Sequence, residues 1–323
     1  MLWILRVATD RRFGAGHFVR CRALAQAFTQ APIVAVDPDY PHQNEIMRWS
    51  SGIIVESQPE SAELTLNAIF SKQADAVVFD SYVVAEEYCK QASTKGFCAV
   101  FRDGMPYGSE SVTVDPSPGA SAGPRVLAGP AYMPLDAQFI TSAHVEILSR
   151  EGPPRILVSF GARDTANRTE LAIESLKRVR QPLHATIVMP ATAIHRERIR
   201  SLVAGSSSFE VIDPGPITQR FYQMFDIAIG APGVSQYERS FCGLPTILLA
   251  QNAKQELAVS IWAQSGAAVA GAAEPDAIAN ILSPLLDDLS LREVLAARGR
   301  LMVDGQGAKR LAVNLEQRAS VRQ

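Results

Sequence analysis

The sequence has 323 residues, of which 47% are hydrophobic and 20% are charged, and its formal net charge is −2. At roughly 100–200 residues per domain, this length favours two globular domains. The near-neutral charge argues against a polyanion-binding surface, so we expect no nucleic acid partner.

Cysteine and histidine spacing shows no sign of a metal site. The four cysteines include no C-x-x-C pair, and the five histidines are scattered along the chain. So few cysteines suit a reducing compartment, which favours a cytoplasmic protein. No stretch approaches the roughly 20 apolar residues of a membrane span, so we expect no membrane insertion. We also expect no cofactor, and a monomer is the favoured oligomeric state.

In the first half of the chain, short apolar runs alternate with helical patterns. Continuous apolar runs are typical of parallel strands that are buried on both faces. The runs that predict strands are 4–9, 33–36, 53–55, 74–79 and 97–101, with shorter pieces at 112–114 and 126–127.

The second half repeats this alternation. Its strand candidates are 156–160, 185–189, 209–212, 227–229 and 246–249. Prolines and glycines are frequent between 115 and 134 and again at 152–154, which places the domain boundary near 150. We therefore predict two Rossmann-like, doubly wound α/β domains, 1–149 and 150–323, facing each other across a cleft.

A glycine-rich turn joins the first predicted strand to the first predicted helix. Gly14 and Gly16 allow close backbone approach to a ligand, although Val19 breaks the dinucleotide-binding fingerprint. His17 follows at the helix N-terminus, where the helix dipole favours a neutral imidazole that can accept a proton. Asp10 could orient this ring or could simply form the turn, and His17 could be a capping or packing residue.

A second glycine-containing loop opens a helix after the strand at 227–229. Its backbone N–H groups and the Ser235 hydroxyl could hold a diphosphate. Glu238 could bind the two hydroxyls of a ribose or could serve only as a capping carboxylate. Asn252 could reach ligand oxygens, although a solvated loop would look the same.

Two further loops follow predicted strands and could line the cleft. One carries Gly161, Arg163 and Asp164, and the other carries Asp80 and Tyr82. Glycine, aspartate and serine are also common in plain turns, so a structural role fits these loops equally well.

Together these motifs resemble the PseG-type hydrolases of UDP-2,4-diacetamido-2,4,6-trideoxy-β-L-altropyranose in pseudaminic acid biosynthesis. The sequence is also similar to spore-coat polysaccharide proteins and, more distantly, to MurG-like glycosyltransferases of GT-B fold. The segments that carry the resemblance are 14–25, 79–82, 127–132, 157–164, 228–238, 243–245 and Asn252.

The resemblance implies a metal-independent enzyme in which water attacks the anomeric carbon, UDP leaves, and His17 is the general base. It implies that a UDP-sugar is the small-molecule partner and that Glu238 binds the ribose. The residues implied to bind nucleotide or sugar are Gly14, Gly16, Arg20, Asp80, Tyr82, Gly161, Arg163, Asp164, Gly233, Val234, Ser235, Glu238 and Asn252.

Departures from the family pattern leave the exact sugar open. Val234 lacks a hydroxyl found in the family's glycine-glycine-serine-threonine run, and Ala162 replaces a glycine. A glycosyltransferase that uses the same donor site is the main alternative, although no basic amphipathic helix for a lipid-linked acceptor is apparent. A non-catalytic nucleotide-sugar binder, in which His17 is structural, is the third reading.

Overall fold

The computed structural model describes residues 1–7, 16–36, 54–57, 62–81, 86–102, 111–137, 139–140, 152–161, 163–215 and 217–321. The chain forms two compact units. The first comprises Met1–Ala137 and Gly305–Gln323, and the second comprises Gln138–Asp304. The chain thus passes from the first unit to the second after residue 137, ahead of the boundary predicted near 150. The C-terminal segment belongs to the first unit again.

Each unit contains one parallel sheet, as the continuous apolar runs predicted. The first has the order β3-β2-β1-β4-β5-β6-β7 and the second has the order β10-β9-β8-β11-β12-β13. The strands are β1 (Trp3–Val7), β2 (Ile33–Val36), β3 (Ile54–Ser57), β4 (Ala76–Asp80), β5 (Phe97–Phe101), β6 (Val112–Asp115), β7 (Val126–Ala128), β8 (Arg155–Ser159), β9 (His184–Val188), β10 (Phe209–Ile212), β11 (Ile227–Gly230), β12 (Thr246–Leu248) and β13 (Val269–Ala270).

Helices connect most of these strands, so the described part of each unit is an α/β array. The helices are α1 (Gly16–Ala25), α2 (Ala62–Ser71), α3 (Glu86–Lys95), α4 (Arg168–Leu176), α5 (Arg196–Val203), α6 (Gln219–Tyr222), α7 (Val234–Cys242), α8 (Ala253–Gln264), α9 (Pro275–Asp287), α10 (Leu289–Met302) and α11 (Gly307–Val321), with a 3-10 turn at Pro130–Tyr132. No helix in the described ranges combines the length and the apolar character needed to cross a membrane.

The last helix belongs to the first unit because its apolar face is buried there. Leu311 and Leu315 are fully buried in the same core cluster as Trp3 and Phe18. At the start of α11, Gly307 lies so close to the Met133 carbonyl that a Cβ would be 2.0 Å from its oxygen. This packing explains why the chain returns to the first unit, which the local sequence pattern did not predict.

Strand order reverses direction once in each sheet, between β1 and β4 and between β8 and β11. In open parallel sheets, ligands bind beyond the carboxyl ends of the strands at such a switch point. The register places Val7 beside Asp80 in the first sheet and Ser159 beside Gly230 in the second. Ligand sites are therefore expected at these two edges.

Candidate active site

A histidine and an aspartate meet at the switch point of the first sheet. His17 is the second residue of α1, and Asp80 is the last residue of β4. The His17 Nδ1 lies 2.6 Å from Asp80 Oδ1, and both side chains are buried. The pair forms because β4 neighbours β1, which brings the end of β4 beside the start of the helix that follows β1.

Arg20 completes this cluster from the next turn of α1. Its Nε donates to Asp80 Oδ2 at 2.6 Å and its Nη2 donates to Asp80 Oδ1 at 2.5 Å, a two-point contact of the kind that arginine makes with carboxylates. The guanidinium also stacks over Phe101, 4.4 Å from the ring centroid. The Cys21 thiol donates to Asp80 Oδ2 at 3.3 Å.

The charges in this cluster keep Asp80 ionised. Burial alone would raise the pKa of its carboxyl, but the charges and hydrogen bonds of Arg20 and His17 outweigh burial and hold that pKa well below its usual range. An ionised carboxylate can only accept a hydrogen bond, so Nδ1–H donates to Asp80, and the lone pair of a neutral imidazole is then on Nε2. The geometry therefore orients His17 and stabilises the imidazolium that forms when Nε2 takes a proton.

Asp80 and Arg20 were both predicted to contact ligand. Asp80 has no exposed surface and Arg20 is 4% exposed, and the two side chains contact each other and His17. Their contact with ligand stays a prediction. Asp10, Gly14 and Tyr82 lie outside the described residues, whereas Gly16 is the first residue of α1.

At the switch point of the second sheet, α7 begins with a glycine and no side-chain cap. Gly233 is its N-cap residue and is exposed, with open space where a Cβ would project. Val234 and Ser235 form the first turn and are half-buried. A helix N-terminus without a side-chain cap leaves backbone N–H groups available to an anion.

A buried arginine, Arg239, contacts this turn, and no local sequence pattern predicts its role. Arg239 is fully buried, and its Nη2 donates to the Ala231 carbonyl at 2.7 Å. Its Nε donates to Gln236 Oε1 at 3.1 Å. Its helix neighbours Ser240 and Phe241 are also buried, a placement that the local sequence pattern does not reveal.

Glu238 points to a tyrosine of α6. The Tyr222 hydroxyl donates to Glu238 Oε2 at 2.7 Å, and the carboxylate is half-buried. Burial, and then the negative charge of Glu238, raise the pKa of Tyr222 well above its usual range. One carboxylate oxygen is thus held by the protein, and the predicted contact with a ribose stays a prediction.

The remaining predicted residues separate into caps and exposed groups. Asp164 is buried and accepts from the backbone N–H groups of Arg168 at 2.8 Å and Thr169 at 2.9 Å, so it caps α4. Asn252 caps α8 by accepting from the Gln255 N–H at 3.2 Å. Arg163 and Gly161 are exposed. Asp164 and Asn252 thus accept hydrogen bonds from helix N-termini, because short polar side chains are favoured acceptors for the unpaired N–H groups of a first turn.

Metal-binding residues do not gather in the part of the chain that the structure describes. No group of three or more histidine, cysteine, aspartate or glutamate side chains is placed there to hold an ion.

Comparison with known proteins adds one relative over nearly the whole chain. The spore coat polysaccharide biosynthesis protein SpsG of Bacillus subtilis is 23% identical over 320 residues, covering 94% of each chain. No family model matches the sequence.

Solved structures resemble the chain in fold. The MurG structure of Acinetobacter baumannii has a TM-score of 0.74 and 13% identity over 98% of this chain and 99% of its own. The S. aureus MnaA structure, solved with UDP, has a TM-score of 0.70 and 13% identity over 99% and 98%. The chain therefore has the two-domain, parallel-sheet fold of GT-B glycosyltransferases and is similar in sequence to a polysaccharide biosynthesis protein.

Proposed function

We propose that this protein hydrolyses a UDP-linked 2,4-diacetamido-2,4,6-trideoxy sugar to the free sugar and UDP, without a metal. The observation that carries the proposal is the His17–Asp80 pair, 2.6 Å apart at the end of β4. Similarity to a polysaccharide biosynthesis protein and a fold shared with a UDP-bound structure support the substrate class.

In the proposed reaction, His17 Nε2 takes a proton from water as the water oxygen bonds to the anomeric carbon. The bond from that carbon to the UDP oxygen breaks, and its electron pair stays on the diphosphate. Oriented backbone dipoles stabilise developing anions, and in the second unit the N–H groups at the start of α7 are the ones we propose for a diphosphate. Asp80 remains ionised throughout, and the His17 proton passes to solvent.

Transfer to an acceptor is the second candidate function. A base oriented as His17 is would deprotonate a sugar hydroxyl as well as water, and several solved structures with this fold are glycosyltransferases. The two functions differ in one requirement, because a transferase needs an acceptor before it releases UDP at a useful rate.

The test is to incubate the protein with the UDP-sugar, without metal or acceptor, and to follow UDP release by NMR. We expect rapid release in the wild type and a loss of about 10²–10⁴-fold in His17→Ala with UDP binding retained. His184→Ala, an exposed histidine of β9, is the matched control and should keep full activity. UDP binding without turnover would exclude this hydrolysis and direct the search to acceptors or other sugars.

A further inference from the structure

Arg239 carries a buried charge that has no carboxylate partner among the residues that the structure describes. Its side chain has no exposed surface, and its two hydrogen bonds go to neutral acceptors, the Ala231 carbonyl and the Gln236 amide oxygen. Among the described residues, no carboxylate oxygen lies within 4.0 Å of the guanidinium, and its Nη1 has no hydrogen-bond partner. Buried cations are normally paired, so this one calls for an explanation.

The neighbours of Arg239 hold it in place firmly. Gln236 accepts from Arg239 Nε and donates to Ser240 Oγ at 3.0 Å, which fixes the amide orientation. Gly230 leaves room for the guanidinium, since a Cβ there would lie 2.8 Å from Arg239 Nη1 and 2.5 Å from the Ser159 carbonyl oxygen. The arginine is thus built into the β11–α7 turn.

Burying the charge of Arg239 without a counterion costs free energy of folding. Burial lowers the pKa of Arg239, and the charge of Glu238 and the Tyr222 hydroxyl only partly offset that effect. A guanidinium nevertheless stays protonated in a protein. The positive potential of the Arg239 charge adds to that of the α7 N-terminus. Because the surroundings of the guanidinium have a low dielectric constant, this potential is only weakly screened.

We propose that Arg239 is a positioning residue whose buried charge is balanced by the diphosphate bound at the N-terminus of α7. The inference rests on the proposed function, because it takes the nucleotide diphosphate as the anion. Arg239 acts in two ways: Nη2 holds the Ala231 carbonyl, two residues before the helix cap, and the charge attracts the anion through the turn.

The experiment compares UDP with uridine, which lacks the phosphates. Dissociation constants for both would be measured by calorimetry in the wild type, Arg239→Met, Arg239→Lys and Arg178→Met, with thermal unfolding recorded for each. Arg178 is a control because it is 43% exposed and lies after α4. We expect Arg239→Met to weaken UDP binding about 10- to 100-fold and uridine binding less than about twofold. Arg239→Lys should restore part of the UDP affinity, and Arg178→Met should change neither.

The outcomes separate this inference from the proposed function. Equal losses for UDP and uridine, or no loss, would show a merely structural arginine and overturn the inference while UDP binding by the wild type stands. A wild type that binds no UDP would overturn both. If Arg239→Met fails to fold, Gln236→Glu supplies an internal carboxylate for Arg239, and we expect higher thermal stability with weaker UDP binding. Unchanged UDP affinity in that variant would overturn the inference.

Discussion

The two switch points bury opposite charges and treat them differently. At the first, the Asp80 carboxylate is surrounded by Arg20, His17 and Cys21, so its charge and its acceptor sites are satisfied within the protein. At the second, the Arg239 guanidinium has, within the described ranges of the chain, only neutral acceptors and one nitrogen without a hydrogen-bond partner. The buried charge of Asp80 is balanced by protein groups, whereas we propose that a ligand anion balances the buried charge of Arg239.

This difference shows how one fold can serve two tasks. A buried charge that is fully paired holds its neighbours in one geometry, which suits an imidazole that must present a given nitrogen. A buried charge that is left unpaired costs stability but attracts a counterion of opposite sign.

Removing the carboxylate at the first switch point should cost the most. Asp80→Asn breaks the buried ion pair between Arg20 and Asp80, so we expect a loss of about 3–5 kcal/mol in the free energy of unfolding, measured by urea denaturation. Asp276→Asn, whose side chain is 82% exposed and paired with Arg178, is the control and should change little. Equal effects of the two substitutions would contradict a tightly coupled cluster.

The same carboxylate predicts a pH dependence of stability. The pKa of Asp80 is lowered in the folded protein, so its contribution is fully present above the unfolded pKa of about 4 and is lost as pH falls through the folded value. The stability difference between wild type and Asp80→Asn should therefore shrink as the pH falls below about pH 4. A difference that persists unchanged at low pH would contradict the assigned charge state.

In the second unit, Asp164 should behave as a cap and not as a ligand group. Asp164→Ala removes two backbone hydrogen bonds at the start of α4, so we expect a loss of about 1–2 kcal/mol in stability with UDP affinity retained. Asn252→Ala, which removes the single cap bond of α8, should cost less. A selective loss of UDP affinity in Asp164→Ala would restore the role that the sequence suggested.

The smallest expected effect is at the first turn of α7. Val234 stands where a hydroxyl would add a donor to the proposed diphosphate site, so Val234→Ser should strengthen UDP binding by about 0.5–1.5 kcal/mol. Calorimetric titration with UDP measures this gain, and uridine serves as the control ligand. Weaker UDP binding in Val234→Ser would show that this position does not face the phosphates.

How far the candidate site could be predicted depends on the range of the interactions. His17 and the α7 turn were found from local patterns, since a polar or glycine-rich turn between a buried strand and a helix marks the carboxyl edge. Asp10, close in sequence, is the predicted partner of His17 and lies outside the described residues, whereas Asp80 is 63 residues away and reaches His17 through the pairing of β1 with β4. Arg239 went unnoticed because an arginine in a helix is normally exposed.

The sequence by itself determined the two parallel α/β sheets, because continuous apolar runs between helical patterns leave few other folds in which those runs are buried. It also determined the helices α1 and α7 that begin at the two switch points, through glycines that act over a few residues. Tertiary structure alone decided that Leu311 and Leu315 pack in the first unit, that Asp80 contacts His17, and that Arg239 is buried with neutral acceptors for its hydrogen bonds. These outcomes depend on which distant segments share a core or a strand edge, and no local pattern encodes that choice.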